Sequence, residues 1–89
     1  MSRDLPEWWG WEAEFSPHLL RRMLDRGFTE IELRALLEDA IGLHPDPGPG
    51  RWRVETTHRG RPWRVIVEPD FLLQVLVVVT AFPTGGSKR

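Results

Sequence analysis

The chain of 89 residues contains no cysteine. That excludes a disulfide framework and a thiolate zinc site, and it fits a reducing, cytoplasmic location. It contains no tyrosine either. The longest apolar run, "FLLQVLVVVTAF" at residues 71–82, includes Gln74 and is too short to span a membrane. The first 15 residues are acidic and Trp-rich, without the basic flank and apolar stretch of a signal peptide, so no membrane partner is expected. Phosphate-loop and dinucleotide glycine patterns are missing. The three histidines lack HxxxH or HExxH spacing, and no serine, Ser16 and Ser87 included, has the context of a nucleophile elbow. No metal and no cofactor are expected.

Neither sign of charge prevails. The formal net charge is −1, which by itself points to no nucleic-acid partner. The distribution says more. Residues 1–15 and 29–46 are acidic, whereas residues 16–26 and 51–64 are basic and each contain a histidine. If the basic segments meet in the fold they form a local positive surface; if they meet the acidic ones they form ordinary ion pairs.

What is present reads as one domain over residues 1–89, with a Trp-rich N-terminal segment (1–10) and a flexible tail (84–89). "SPHLLRRMLDRG" predicts a helix with Ser16 as N-cap, Pro17 in the first turn and Gly27 as the stop. "TEIELRALLEDA" predicts a second, opened by a Thr29/Glu32 capping box, with Ile31 or Leu33 joining Ala35, Leu36, Leu37 and Ala40 in its apolar stripe. Phe28 is expected to staple the turn between them. "GLHPDPGPG" is a breaker cluster and reads as a loop, with His44 exposed on it. "RWRVETTH", "RPWRVIVE" and "LLQVLVVVTAF" predict an antiparallel meander, and "WEAEFS" a short extra strand or a clasp over the core. The expected class is α+β: two short helices packed on a three- to four-stranded antiparallel sheet.

A two-residue turn at Arg59-Gly60 sets the first hairpin. His58 then faces Arg61, Thr56 faces Trp63, Val54 faces Val65 and Trp52 faces Val67, on an apolar face. The other face pairs Arg51 with Glu68, Arg53 with Ile66 and Glu55 with Arg64. An odd-length turn at "EPD" is expected to put Phe71, Leu73, Val75, Val77, Val79 and Ala81 on the apolar face, with Gln74 and Thr80 beside the arginines.

That open face has the groups for RNA cleavage: a base for the 2′-hydroxyl, an acid for the leaving 5′-oxygen, and cations for the phosphorane. Glu55 suits the base, His58 or His18 the acid, and Arg53 and Arg64 the phosphate clamps, although the same register puts His58 on the apolar side at the hairpin end, away from Glu55. Arg22, Arg51, Arg61 and Thr80 are further candidate RNA contacts. His18 lies in the first turn of a helix, where the dipole favours a neutral ring. The competing reading is a salt-bridged hairpin, since cross-strand Arg–Glu pairs are common sheet decoration worth roughly 0.2–1 kcal/mol each. Trp8, Trp9 and Trp11 could stack on bases, but such clusters more often cover a small core or a homodimer interface.

Taken together, "FSPHLLRRMLDRGFTEIEL", "GRW", "VIVEPD" and "VLVVVTAFP" resemble a family of small bacterial proteins of unknown function across about residues 11–83. The pattern is a histidine in the first helix, an Arg-Gly helix break, a Gly-Arg strand entry and a closing Val-Val-Thr-aromatic strand. By position its marked residues fall on His18, Arg22, Arg26, Gly27, Gly50, Arg51 and Thr80. The family looks like a relative of RelE/BrnT-type toxins, which implies a RelE-like fold, RNA as substrate and a cognate antitoxin as partner. The chain departs from typical RelE-like toxins in having no tyrosine and no net positive charge, which points away from ribosome-dependent cleavage.

Overall fold

The protein is described here by a computed structural model covering residues 5–84. Residues 1–4 of the Trp-rich segment and 85–89 of the expected tail lie outside the described residues. After a short 3-10 turn (Glu7–Gly10) come β1 (Glu12–Phe15), α1 (Pro17–Asp25), α2 (Glu30–Glu38), β2 (Gly42–Pro45), β3 (Trp52–His58), β4 (Arg61–Asp70) and β5 (Val75–Pro83). The strands form one five-stranded sheet in the order β1-β5-β4-β3-β2. β1 runs parallel to β5, and every other pair is antiparallel. The α+β class holds, but the sheet is mixed and has five strands, not three to four antiparallel ones.

Both helices form for the local reasons read in the sequence. The Ser16 hydroxyl accepts from the Leu19 amide at 3.2 Å and donates to the Val79 carbonyl at 3.1 Å, so one side chain caps α1 and ties it to β5. Leu19 and Met23 are buried, and Gly27, at φ 77°, ends the helix. In α2 the capping box is complete: the Glu32 amide donates to the Thr29 hydroxyl at 3.2 Å, and the Thr29 amide donates to the Glu32 carboxylate at 2.9 Å. Leu33 and Leu36 are buried, whereas Ile31 faces solvent. The helices cover one face of the sheet. Its core is Val54, Val65, Val67, Leu76 and Val78, closed at one end by Trp8, whose ring lies 5.4 Å from that of Trp52.

The β3–β4 hairpin has the expected register at every pair, with Arg59 (φ 53°) and Gly60 (φ 79°) forming the left-handed two-residue turn. The β4–β5 connection differs from the expectation. β4 runs on through "EPD" to Asp70, because β3 has already ended opposite Val67 and the missing amide of Pro69 loses no bond on that side. The loop is four residues, 71–74, with the Asp70 carboxylate accepting from the Leu72 and Leu73 amides and Gln74 at φ 56°. Leu76 and Val78 therefore face the core, in place of Val75, Val77 and Val79. A bulge follows: Val67 pairs with Val78 and Ile66 with Thr80, so Val79 is unopposed and the phase reverses. Ala81 returns to the core side and Thr80 to the open face, as expected. Phe71 and Leu73 are exposed at the loop.

Residues 42–45, expected as loop, form the edge strand β2. Its pairing is framed by the Ile41 amide on the Glu55 carbonyl (2.8 Å) and the Asp46 amide on the Arg51 carbonyl (3.0 Å). Among the described residues no helix is long and apolar enough to cross a membrane.

Candidate functional site

The sheet face turned away from the helices gathers charge by register. Glu55 on β3 lies opposite Arg64 on β4, and the Arg64 Nε–H donates to Glu55 Oε2 at 2.8 Å. Both side chains are about one third exposed or less. The second carboxylate oxygen, Oε1, accepts no hydrogen bond among the described residues. Two residues before Glu55, Arg53 lies opposite Ile66, which floors the face. The buried Arg53 Nε sits 3.9 Å from Asp46 Oδ1, close enough for charge attraction but too far for a hydrogen bond, and among the described residues it has no other acceptor. Thr80 lies across Ile66 from Arg53, half-buried. Arg51 and Glu68 form an exposed pair at 3.1 Å.

β2 adds a residue that sequence reading placed elsewhere. His44 pairs with Arg53, which puts it on the open face. Its same-face neighbour along β2, Gly42, pairs with Glu55. A Cβ on Gly42 would lie 3.3 Å from His44 Nε2 and 3.6 Å from the Glu55 Cβ, so the imidazole and the Glu55 side-chain stem flank the same bare patch. His44 was legible only as a member of a proline-rich loop. Its signal was the Leu43-His44 alternation, too short to stand out from "GLHPDPGPG".

The other candidates divide. Arg51, Arg53, Glu55, Arg64 and Thr80 share the face. His18 is exposed on the first turn of α1 and makes no hydrogen bond or ion pair with them. Arg22 is exposed on α1 beside Arg26, over a small cleft floored by Leu19, Met23 and Trp63. His58 and Arg61 sit at the tip of the β3–β4 hairpin on the helix side, where His58 lies 4.8 Å from the Phe28 ring. Glu55 and His58 are thus separated by the sheet, as the register implied.

Arg59, also at the tip, reaches Glu32 at 3.3 Å. The Thr29 amide, and then the charge of Arg59, hold the Glu32 carboxyl below its usual range. Among the described residues no three His, Asp or Glu side chains gather as a metal would require.

No curated protein and no solved structure matches the chain. One family does, described as "Domain of unknown function (DUF4258)", over residues 15–83. This meets the expectation of a family of unknown function and carries no link to RelE/BrnT-type toxins. With the match covering most of its length, from the end of β1 to the end of β5, the chain belongs to the DUF4258 family.

Proposed function

We propose that the open sheet face is the active surface of a toxin-type endoribonuclease. The observation that carries the reading is the sharing of one face by a carboxylate, an imidazole and two guanidiniums: Glu55, His44, Arg53 and Arg64. Arg64 holds Glu55 by one oxygen and leaves Oε1 to take the proton of a ribose 2′-hydroxyl. The 2′-oxygen then bonds to phosphorus while the bond to the 5′-oxygen breaks, and His44, as imidazolium, protonates that leaving oxygen. The products are a 2′,3′-cyclic phosphate and a 5′-hydroxyl. The terminal guanidinium nitrogens of Arg53 and Arg64, both on this face, would be the donors to the phosphorane oxygens. The resemblance to RelE/BrnT-type toxins supports the same reading, and with it an antitoxin as partner.

The experiment is RNA cleavage by purified protein in EDTA. Glu55→Gln and His44→Ala are each expected to lose about 10²–10⁴-fold in rate, the usual contribution of one proton-transfer group. His18→Ala is expected to keep activity. Equal activity in all four proteins would remove the face from the chemistry.

A second reading is a non-catalytic binding module. The β4–β5 loop favours it, since Phe71, Leu72 and Leu73 are all strongly exposed, Leu72 at 95 %. In that case the loop binds a protein partner and the arginine face orients it. A homodimer through the Trp-rich segment would have to use Trp9 and Trp11, because Trp8 is buried in its own chain.

A further inference from the structure

At the tip of the β3–β4 hairpin, on the helix side, lies a cleft of about 290 Å³ lined by Phe28, His58, Arg59, Arg61, Trp63 and Pro83. Its walls are aromatic: Phe28 lies 5.2 Å from Trp63, and His58 meets Trp63 edge-on at 5.9 Å. Its mouth is cationic. Arg59 is neutralised by Glu32, but Arg61 is exposed and has no ion pair among the described residues. Flat rings beside an unpaired guanidinium fit a flat ring that carries an anion. The volume lies at the lower end for ligand sites, about 300 Å³ and upward, and suits one base better than a larger ligand.

We propose that this cleft is a nucleobase subsite for single-stranded RNA, with Arg61 on the adjoining phosphate. The base packs against Phe28 and His58, as bases do on aromatic platforms in sequence-tolerant single-strand binding. The cleft is three residues along β3 from Glu55, about 10 Å at roughly 3.3 Å per residue. A strand crossing the open face therefore reaches it around the hairpin tip within a nucleotide or two. This assigns His58 and Arg61 to holding substrate and leaves proton transfer to the open face. The choice of RNA rests on the ribonuclease reading.

The test needs no cleavage. A 2′-deoxy trinucleotide lacks the attacking hydroxyl and cannot be cut by this chemistry. It is titrated into isotope-labelled protein by NMR, beside inorganic phosphate and a peptide of exposed leucine and phenylalanine residues. The trinucleotide is expected to shift the Trp63 indole N–H, the His58 ring and the Arg61 amide, and phosphate is not. Arg61→Ala, at an exposed position that leaves folding intact, is expected to weaken binding and lower the salt slope by about 0.7. Equal shifts with phosphate would reduce the cleft to a charge site. Shifts confined to the open face, shifts with the peptide alone, or none would each overturn the proposal. If the cleft binds the trinucleotide while the protein cuts no RNA, the subsite stands and the ribonuclease reading falls.

Discussion

Replacing Thr56 by valine tests how α2 is locked to the sheet. Thr56 is 1 % exposed, and its hydroxyl donates to the Leu36 carbonyl at 2.6 Å. That carbonyl lies in the last turn of α2, where backbone acceptors run out of partners. The Ala40 amide, its natural donor, goes instead to the Leu37 carbonyl at 3.3 Å. Valine keeps the shape and the β-branch but leaves a buried acceptor unsatisfied, which costs about 1–3 kcal/mol. For a domain this size each kcal/mol moves Tm by about 4–8 °C, so a fall of about 5–20 °C is expected in thermal unfolding followed by circular dichroism. The urea m-value is expected to stay constant, because the surface exposed on unfolding does not change. A loss below about 0.3 kcal/mol would refute the claim that this bond anchors the helix. A changed m-value would mean that the substitution alters compactness instead.

Other substitutions separate chemistry from stability. In a double-mutant cycle, Glu55→Gln and Arg64→Ala are expected to couple by no more than about 1 kcal/mol in urea unfolding; a coupling of several kcal/mol would make the pair a structural lock. Gly42→Ala has no left-handed backbone to strain, but its methyl would meet His44 Nε2 at 3.3 Å. It is expected to displace the imidazole and slow cleavage with a stability change within about 1 kcal/mol, and unchanged kinetics would argue against His44 as the acid. Glu32 supplies a pH dependence. Its folded carboxyl titrates below the reference value of 4.5, so its contribution to stability is whole above that pH and is lost as pH falls through the lowered value. Glu32→Gln is therefore expected to flatten the acid limb of stability against pH relative to the parent protein. Leu72→Ser, at the most exposed apolar position, is expected to leave Tm unchanged within about 0.5 kcal/mol of stability while weakening any protein partner captured by the loop.

The parts of the fold that could be read from the sequence are those where a local signal carries phase. The Arg59-Gly60 turn fixes one register, and only that register puts Val54, Val65 and Val67 on one side and both Arg–Glu pairs on the other. Ser16, Gly27 and the Thr29/Glu32 box likewise bound the helices by side-chain chemistry. The phase of β5 had no such signal. "VLVVVTAF" is apolar at consecutive positions, so alternation cannot say which residues face in, and the Val79 bulge reverses the answer midway. β2 was hidden by its length and its proline, and its pairing is enforced from outside by Glu55 and Arg51 backbone groups. His44 was hidden with it. Hence Glu55, Arg53 and Arg64 were legible as one face, whereas the imidazole beside them required the sheet edge to be seen.

The most direct test of the open face as a catalytic surface is the chemistry of the cut ends. Wild-type protein incubated with free RNA in EDTA is expected to yield fragments ending in 2′,3′-cyclic phosphate and 5′-hydroxyl, the products that Glu55 and His44 would generate. Intact RNA, or fragments ending in 3′-hydroxyl and 5′-phosphate, from folded protein would contradict it.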